Sequence, residues 1–347
     1  MLAPLLLWVL LLVVVPTVIM VVFSFSDRGN LGEIVYRFSL DNYRRIAEGA
    51  QWTPLLVSLG ISVVAVGLYV LVRRGNRGGW LAVFVAVFWT AINVAVFTQS
   101  ADAIKAQWLK VSVISINYAA GATALCVLLG YPAAYFIGRA PERWRNLLVL
   151  AVTIPFWTSF LVRTYAWVTI FSSEGLLNTT LTAIGWPWLM EHVVNPAFLK
   201  LHLIAEPFPL KPELYPSQTA VMVGLVYAYL PFMILPIYTS VERLDKSLIE
   251  AALDLGATPF RTFTRVILPL TMPGVIAGIV LTFVPAIGMF AVNDILGGRQ
   301  EMLIGNVIER QFTAARDKPF GSALGMILLV LFIATYALTL RRKPSEA

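Results

Sequence analysis

Residues that could bind a metal or act in catalysis are scarce in this sequence. It has one cysteine, Cys126, and two histidines, His192 and His202, ten residues apart. A single cysteine forms no intrachain disulfide and no cysteine-based zinc site, and this histidine spacing matches no helical metal pair. No G-x-x-x-x-G-K-[ST] motif for binding ATP is present. We therefore expect no catalytic residues, no metal site and no cofactor bound by this chain.

Four other side chains could contact a positively charged organic solute. Asp294 is the first charge after a long apolar run, where a carboxylate could replace the water that an ammonium group loses. It could equally be a solvated loop acid. Trp157 and Tyr165 could offer ring faces to such a cation.

Arg163, the fourth, is the only charge inside a long apolar run. In a membrane span it would cost at least about 2.5–3.5 kcal/mol if uncompensated at mid-bilayer. It therefore either pairs inside the helix bundle or lies near the outer end of its helix. Structural anchoring and gating both remain open for this residue.

The composition indicates an integral membrane protein. Of 347 residues, 59% are apolar and 13% are charged, against roughly 45–50% and 25% in soluble domains. Runs of about 20 apolar residues suffice to cross the hydrocarbon core. Eight such runs are present: Leu2–Phe23, Trp52–Val72, Gly78–Ala101, Val111–Gly138, Asn146–Phe171, Leu214–Val241, Val266–Asn293 and Pro319–Leu340.

The basic residues predict the orientation, because cytoplasmic loops are enriched in Lys and Arg. With eight crossings and the N-terminus inside, the density of basic residues is more than twofold higher in the inside loops. We expect both termini to be cytoplasmic. The net charge of +7 forms no basic run, so nucleic acid is not an expected partner.

The longest inside loop, 241–267, has the pattern of two short helices with a bend between them. Ser247 and Glu250 have the spacing of a capping box, which predicts a helix from Leu248. Gly256 suits the position just after its end, and Thr258-Pro259 suits the start of a second helix. The first helix has an apolar, small-residue surface that includes Ala251 and Ala252, which favours docking into a groove on another protein.

The loop resembles the EAA loop of ABC importer permeases. The matching residues are Glu250-Ala251-Ala252, Gly256 and Val266-x-Leu268-Pro269. In that family the loop forms the coupling helix that docks into the ATPase subunit. The resemblance implies that Ser247, Glu250, Ala251, Ala252, Gly256 and Pro259 couple this chain to an ATPase.

Further motifs are similar to the first permease subunit of spermidine/putrescine importers. They are Gly130-Tyr-Pro132, Pro155-Phe-Trp-Thr158, Arg163-x-Tyr165, Gly175-x-x-Asn178, Gly224-Leu-Val-Tyr227, Leu230-Pro-Phe-Met233, Leu244-Asp-Lys246, Pro269-Leu-Thr-Met-Pro-Gly274, Gly297-Gly298, Leu303-Ile-Gly-Asn-Val-Ile308, Gln311-Phe312 and Arg316-Asp317. The resemblance implies an all-α type I importer transmembrane domain with a six-helix core, in a bacterial inner membrane. It also implies a polyamine substrate that passes by alternating access.

The same resemblance implies the partners. They are an ATP-binding ABC subunit, present as a dimer, a second homologous permease subunit and a periplasmic substrate-binding protein, besides membrane lipid. ATP and Mg²⁺ would be used by the ATPase and not by this chain.

Two segments depart from the family pattern and shape the predicted domains. Segment 52–101 has two spans where the family has none, so it is predicted to be an inserted transmembrane hairpin. The chain would then divide into 1–51, with the first helix and a periplasmic segment, the hairpin 52–101 and the core permease domain 102–347. Segment 179–218 is longer than in the family and rich in proline; it is either a contact for the binding protein or a stiff loop.

Three alternatives compete with a polyamine importer. An ABC importer for another small organic solute would share every feature above. An ion-coupled secondary transporter would usually have ionisable residues inside its spans, where only Arg163 lies. A membrane enzyme would need a nucleophile and base or a metal site, and the sequence offers no convincing set.

Overall fold

The computed structural model describes residues 8, 10–48, 107–195, 214–298 and 302–340. The predicted hairpin 52–101 lies outside the described residues, as do residues 196–213 of the long segment 179–218. The predicted domain boundaries and the count of eight spans therefore stay predictions.

The described chain is helical apart from one short hairpin. The helices in chain order are α1 (Val15–Ser24), α2 (Asp41–Glu48), α3 (Gln107–Arg139), α4 (Glu142–Thr153), α5 (Phe160–Phe171), α6 (Leu176–Ala183), α7 (Trp186–Leu189), α8 (Gln218–Glu242), α9 (Lys246–Asp254), α10 (Pro259–Thr262), α11 (Leu268–Gly288), α12 (Ala291–Leu296), α13 (Ile304–Phe312) and α14 (Lys318–Leu340). Strands β1 (Asp27–Arg28) and β2 (Ile34–Val35) pair antiparallel, with Asp27 opposite Val35. Turns of π-helix precede α1 (Leu10–Val14), follow α7 (Met190–Val194) and join α10 to α11 (Phe263–Ile267), and a 3₁₀ turn follows α4 (Ile154–Trp157).

Three of the described helices are long and apolar enough to cross a membrane. They are Val111–Arg139, Gln218–Glu242 and the continuous run Pro259–Gly288. They coincide with three of the predicted spans, although the last ends at Gly288 and not at Asn293. Leu10–Ser24 and Lys318–Val330 are shorter apolar helices within the predicted first and last spans.

The predicted span over Asn146–Phe171 is sharply bent and not one straight helix, and its crossing of the membrane stays a prediction. The chain forms two helical segments, Glu142–Trp157 and Phe160–Ala183, whose axes differ by 92°. Thr158, between them, has an extended backbone with ψ of 153°. The uniformly apolar composition concealed this break, because hydrophobicity alone does not report the direction of a helix.

The described residues of Met1–Asn117 and Leu303–Ala347 form one compact unit. Within it, α1 packs along α14. Ile46 of α2 is buried against Phe320 and Leu324 at the start of α14. The Asn42 side chain donates hydrogen bonds to the carbonyls of Ser24, at 3.2 Å, and Ser26, at 2.8 Å, so α2 is fixed to the end of α1.

A buried carboxylate joins the start of α14 to the segment after α1. Asp317 is 2% exposed. Its Oδ1 accepts the Phe320 N–H at 3.2 Å, which caps the helix, and its Oδ2 accepts Arg45 Nη1 at 3.0 Å. Arg28 Nη1 lies 3.9 Å from the same oxygen, and the Arg45 guanidinium lies 4.3 Å from the centre of the Phe320 ring. One side chain therefore stabilises a helix start and a long-range contact together.

The described residues of Tyr118–Met302 form the other unit, in which α8 packs closely against α11. A Cβ at Gly274 would lie 2.5 Å from the Pro236 carbonyl oxygen, and one at Gly278 would lie 2.7 Å from the Met233 sulfur. The absence of a side chain at these two glycines lets the backbone of α11 come close to the backbone of α8.

Glycines also face α8 along α3. A Cβ at Gly121 or Gly130 would lie 3.1 Å from a side-chain carbon of Met222 or Met233, respectively. At Gly138 it would lie 2.7 Å from Val241 Cγ1. The contact between these helices thus places glycine backbone of α3 against methionine and β-branched side chains of α8.

Candidate coupling site and solute pathway

Helix α9 begins two residues earlier than predicted, and the predicted capping box is wrong. Its N-cap is Asp245, whose Oδ1 accepts the Ser247 N–H at 3.0 Å. Hydrogen bonds from Ser247, first its backbone N–H and then its hydroxyl, hold the pKa of Asp245 below its ordinary value. Ser247 is therefore the donor to the cap and not the cap itself. The prediction considered Ser247 alone, although aspartate and serine are about equally favoured as N-caps.

The predicted end of α9 at Gly256 is confirmed. Gly256 has φ of +76°, in the left-handed region. Its N–H donates to the Leu253 carbonyl at 2.9 Å, and the Ala257 N–H donates to the Ala252 carbonyl at 3.0 Å. These two bonds form a Schellman motif, which satisfies carbonyls that would otherwise lack partners at the helix end.

The second helix begins as predicted but is not a separate short helix. The Thr258 hydroxyl oxygen accepts the Arg261 N–H at 3.3 Å, and Pro259 occupies the first turn. From there helical structure continues without a break to Gly288. The loop after α8 thus contains one free helix, α9, followed directly by the next span.

Helix α9 exposes apolar side chains on all of its length. None of its residues is buried. Leu248 is 46% exposed, Leu253 44% and Leu255, just after it, 88%. A nine-residue helix is marginal in water by itself. The two caps define both ends of α9, and its exposed apolar side chains leave it without the packing that usually stabilises a short helix.

Two contacts that the sequence did not reveal hold the base of this loop. The Tyr131 hydroxyl lies 2.8 Å from Thr271 Oγ1, and the Tyr131 ring meets the Phe263 ring edge-on at 5.6 Å. Tyr131 belongs to α3, and the other two follow α9. The Gly130-Tyr-Pro132 motif singled out Tyr131 in the sequence. It did not indicate which residues Tyr131 contacts, because Phe263 and Thr271 are far from it in the chain.

Arg163 lies at the break between α4 and α5. Its Nη1 donates to the Pro155 carbonyl at 2.6 Å, and its guanidinium lies 5.4 Å from the Phe156 ring centre and 6.0 Å from that of Tyr227. The Thr158 hydroxyl donates to the same carbonyl at 2.8 Å. A positive charge is favourable at the carbonyl end of a helix. The geometry therefore supports structural anchoring of the bend by Arg163.

Of the other predicted pathway residues, Trp157 lies in the 3₁₀ turn before the bend and Tyr165 lies on α5. Trp157 is 76% exposed and Tyr165 is 59% exposed. Asp294 is an exposed residue of α12, which packs against α5. The crevice beside Arg163, lined by residues that include Trp167 and Tyr227, has a volume of about 10 Å³, enough for about one water molecule. A polyamine does not fit this crevice.

Comparison with known proteins decides the family. Residues 127–342 match the profile of a family described as the inner membrane component of binding-protein-dependent transport systems. This chain belongs to that family. It is accordingly a multi-pass inner-membrane component of a transport system, and the ion-coupled secondary transporter and the membrane enzyme are set aside.

Two relatives have the same name, spermidine/putrescine transport system permease protein PotB. The protein from Escherichia coli K12 is 41% identical over 250 residues, covering 72% of this chain and 81% of the relative. That from Salmonella typhimurium SL1344 is 43% identical over 224 residues, covering 65% and 71%. A crystal structure of a bacterial ABC transporter for the polysaccharide alginate aligns with a TM-score of 0.43 and 18% identity, covering 67% of this chain and 80% of that one. We draw no conclusion from this weak structural similarity.

Proposed function

We propose that this chain is the permease subunit of an ATP-driven importer for polyamines such as spermidine and putrescine. Identity of 41–43% to two spermidine/putrescine permeases carries the proposal. The solute passes by alternating access, and α9 couples this movement to ATP hydrolysis. The chain itself is non-catalytic.

The partners follow from the same proposal. A dimer of ATP-binding subunits receives α9 and hydrolyses ATP with Mg²⁺. A second, similar permease completes the pathway. A periplasmic binding protein delivers the solute, in keeping with the family description. The exposed apolar surface of α9 supports the first of these contacts.

Import by the purified complex tests the substrate. We expect the chain, purified with its partners and reconstituted in liposomes, to import labelled spermidine or putrescine only with ATP and the binding protein. A sugar and an amino acid serve as control solutes. ATP-driven import of a control solute without polyamine import would instead support the alternative of another small organic solute.

Asp294 is the proposed contact for an ammonium group at the end of the pathway. Asp294→Asn keeps the shape but removes the charge, and a charge-assisted contact contributes roughly 1.5–3 kcal/mol. We expect spermidine uptake to fall about tenfold or more, while the complex still assembles. Asp294→Glu should retain more uptake than Asp294→Asn. Wild-type uptake in both variants would exclude Asp294 from contact with the solute.

The proposed orientation places both termini, and α9, in the cytoplasm. Leu255 and Ile184 are 88% and 78% exposed, so a cysteine at either position is accessible to a reagent on its own side. In a Cys126→Ala background expressed without the ATPase, which would otherwise cover Leu255, a membrane-impermeant maleimide added to cells with a permeable outer membrane should label Ile184→Cys only. Both should react once the inner membrane is opened. Labelling of Leu255→Cys before the inner membrane is opened would show that α9 lies outside, opposite to the proposed orientation.

A further inference from the structure

Helices α3 and α8 and the start of the coupling helix α9 meet where α8 ends. Val241 is 2% exposed and packs against Gly138 in the last turn of α3. Glu242, the last residue of α8, lies three residues before Asp245, the N-cap of α9. The Leu244 N–H donates to the Val241 carbonyl at 3.1 Å, so the connection from α8 to α9 is a tight turn. A displacement of α9 therefore acts directly on Glu242.

Glu242 is bonded to the helix that leads to the bend. Arg145, in the second turn of α4, places Nη1 3.4 Å from Glu242 Oε1. The two side chains are only 25% and 35% exposed. Tyr238, one turn earlier in α8, hydrogen-bonds to the same carboxylate. The carboxylate thus joins two residues of different helices at one point.

Helix α4 has few other attachments. None of its residues is buried. It continues through the 3₁₀ turn Ile154–Trp157 to the bend at Thr158, where Arg163 holds the Pro155 carbonyl. Because no residue of α4 is buried, its ion pair to α8 is a direct contact through which a movement of the coupling loop can reach it.

We propose that Arg145 and Glu242 are positioning residues that transmit movement of α9 to the bent helix pair α4–α5. This inference rests on the proposed function, because it assigns the origin of that movement to the ATPase docked on α9. The pair contacts neither the solute nor the ATPase; it acts through α4 on the bend beside Trp157 and Arg163.

Charge exchange tests the pair in the reconstituted importer with all of its subunits. We expect Arg145→Glu and Glu242→Arg each to keep the ATPase bound and the basal hydrolysis rate unchanged. Each should lower the ATPase stimulation by solute-loaded binding protein roughly two- to fivefold, the range for a partly exposed ion pair. The double variant Arg145→Glu/Glu242→Arg should restore stimulation. A merely structural contact would change assembly or basal hydrolysis and leave the stimulation ratio unaffected.

A matched control is available in the Asp41–Arg44 pair. Its charges lie 3.9 Å apart on α2, with side chains 70% and 72% exposed, and Arg44→Glu should leave stimulation at the wild-type level. Wild-type stimulation in both single variants, or no recovery in the double variant, would overturn the transmission proposal alone. A wild-type complex without stimulation by the binding protein would overturn the proposed function, and this inference with it.

Discussion

Uptake is expected to fall roughly 30-fold when Gly256 is replaced by proline. Proline fixes φ near −65°, whereas residue 256 requires +76°, and it lacks the N–H that donates to the Leu253 carbonyl. Backbone strain of about 1–3 kcal/mol and one lost hydrogen bond of about 1 kcal/mol give at least about 2 kcal/mol against the Schellman turn. Because 1.4 kcal/mol changes an equilibrium constant tenfold, a cost of about 2 kcal/mol lowers the fraction of correctly docked α9 roughly 30-fold.

The measurement is retention of the ATPase in the detergent-purified complex, together with uptake. Gly185→Pro is the matched control, because Gly185 follows α6 as Gly256 follows α9, with φ of +93° and an N–H that donates to the Thr182 carbonyl. Proline should disturb both helix ends equally, yet only Gly256→Pro should release the ATPase. Equal release in both variants would mean that general misfolding, and not docking, causes the loss.

Glu250→Arg examines the docking surface without changing the backbone. Glu250 is exposed and takes no part in capping α9, so the helix should persist. A reversed charge on the docking surface should nevertheless weaken ATPase retention. Normal retention and uptake in this variant would exclude Glu250 from the contact.

Asp317→Ala is expected to lower the melting temperature of the purified chain by roughly 3 °C. The variant removes a helix cap of about 1 kcal/mol and a charge-assisted bond, discounted here to about 1 kcal/mol because Arg45 is half-exposed. An unfolding entropy of about 2 cal/mol/K per residue converts this loss of about 2 kcal/mol into the expected shift for a chain of 347 residues. Asp317→Asn, which keeps a capping acceptor, should show about half the shift.

Thermal unfolding in detergent, followed by helical circular dichroism, measures both variants. Asp41→Ala is the control, since its pair with Arg44 is exposed on both sides and should contribute little. An equal shift for Asp317→Asn and Asp317→Ala would show that the cap contributes nothing. An unchanged melting temperature in both variants would show that Asp317 does not stabilise the contact between α14 and the segment after α1.

Local signals predicted the coupling loop well. The end of α9 at Gly256 and the start of the next helix at Thr258-Pro259 depend on residues within one turn, so the sequence contains all the information. The start of α9 was misplaced because Asp245 and Ser247 are both good caps, two residues apart. The choice between them depends on backbone geometry that composition does not record.

Contacts between distant residues could not be predicted in this way. The break at Thr158 is stabilised by Arg163 and the Thr158 hydroxyl, which both bond to the Pro155 carbonyl. The apolar run from Asn146 to Phe171 gave no sign of this break, because hydrophobicity does not report the direction of a helix. The bond between Arg45 and Asp317 joins residues 272 positions apart, and no periodicity within a helix reports such a pairing.

The glycines of α3 have a mechanical consequence. Gly121 meets the terminal methyl group of Met222 on α8, whereas Gly130 meets Cγ of Met233 and Cγ1 of the branched Ile234. Methionine has three rotatable side-chain bonds and adapts its shape at little cost. At the level of Gly121, α3 and α8 can therefore shift against each other by torsional changes of Met222, while the backbone hydrogen bonds of both helices remain intact. Such a sliding contact lets a transmembrane bundle change shape without first separating its helices.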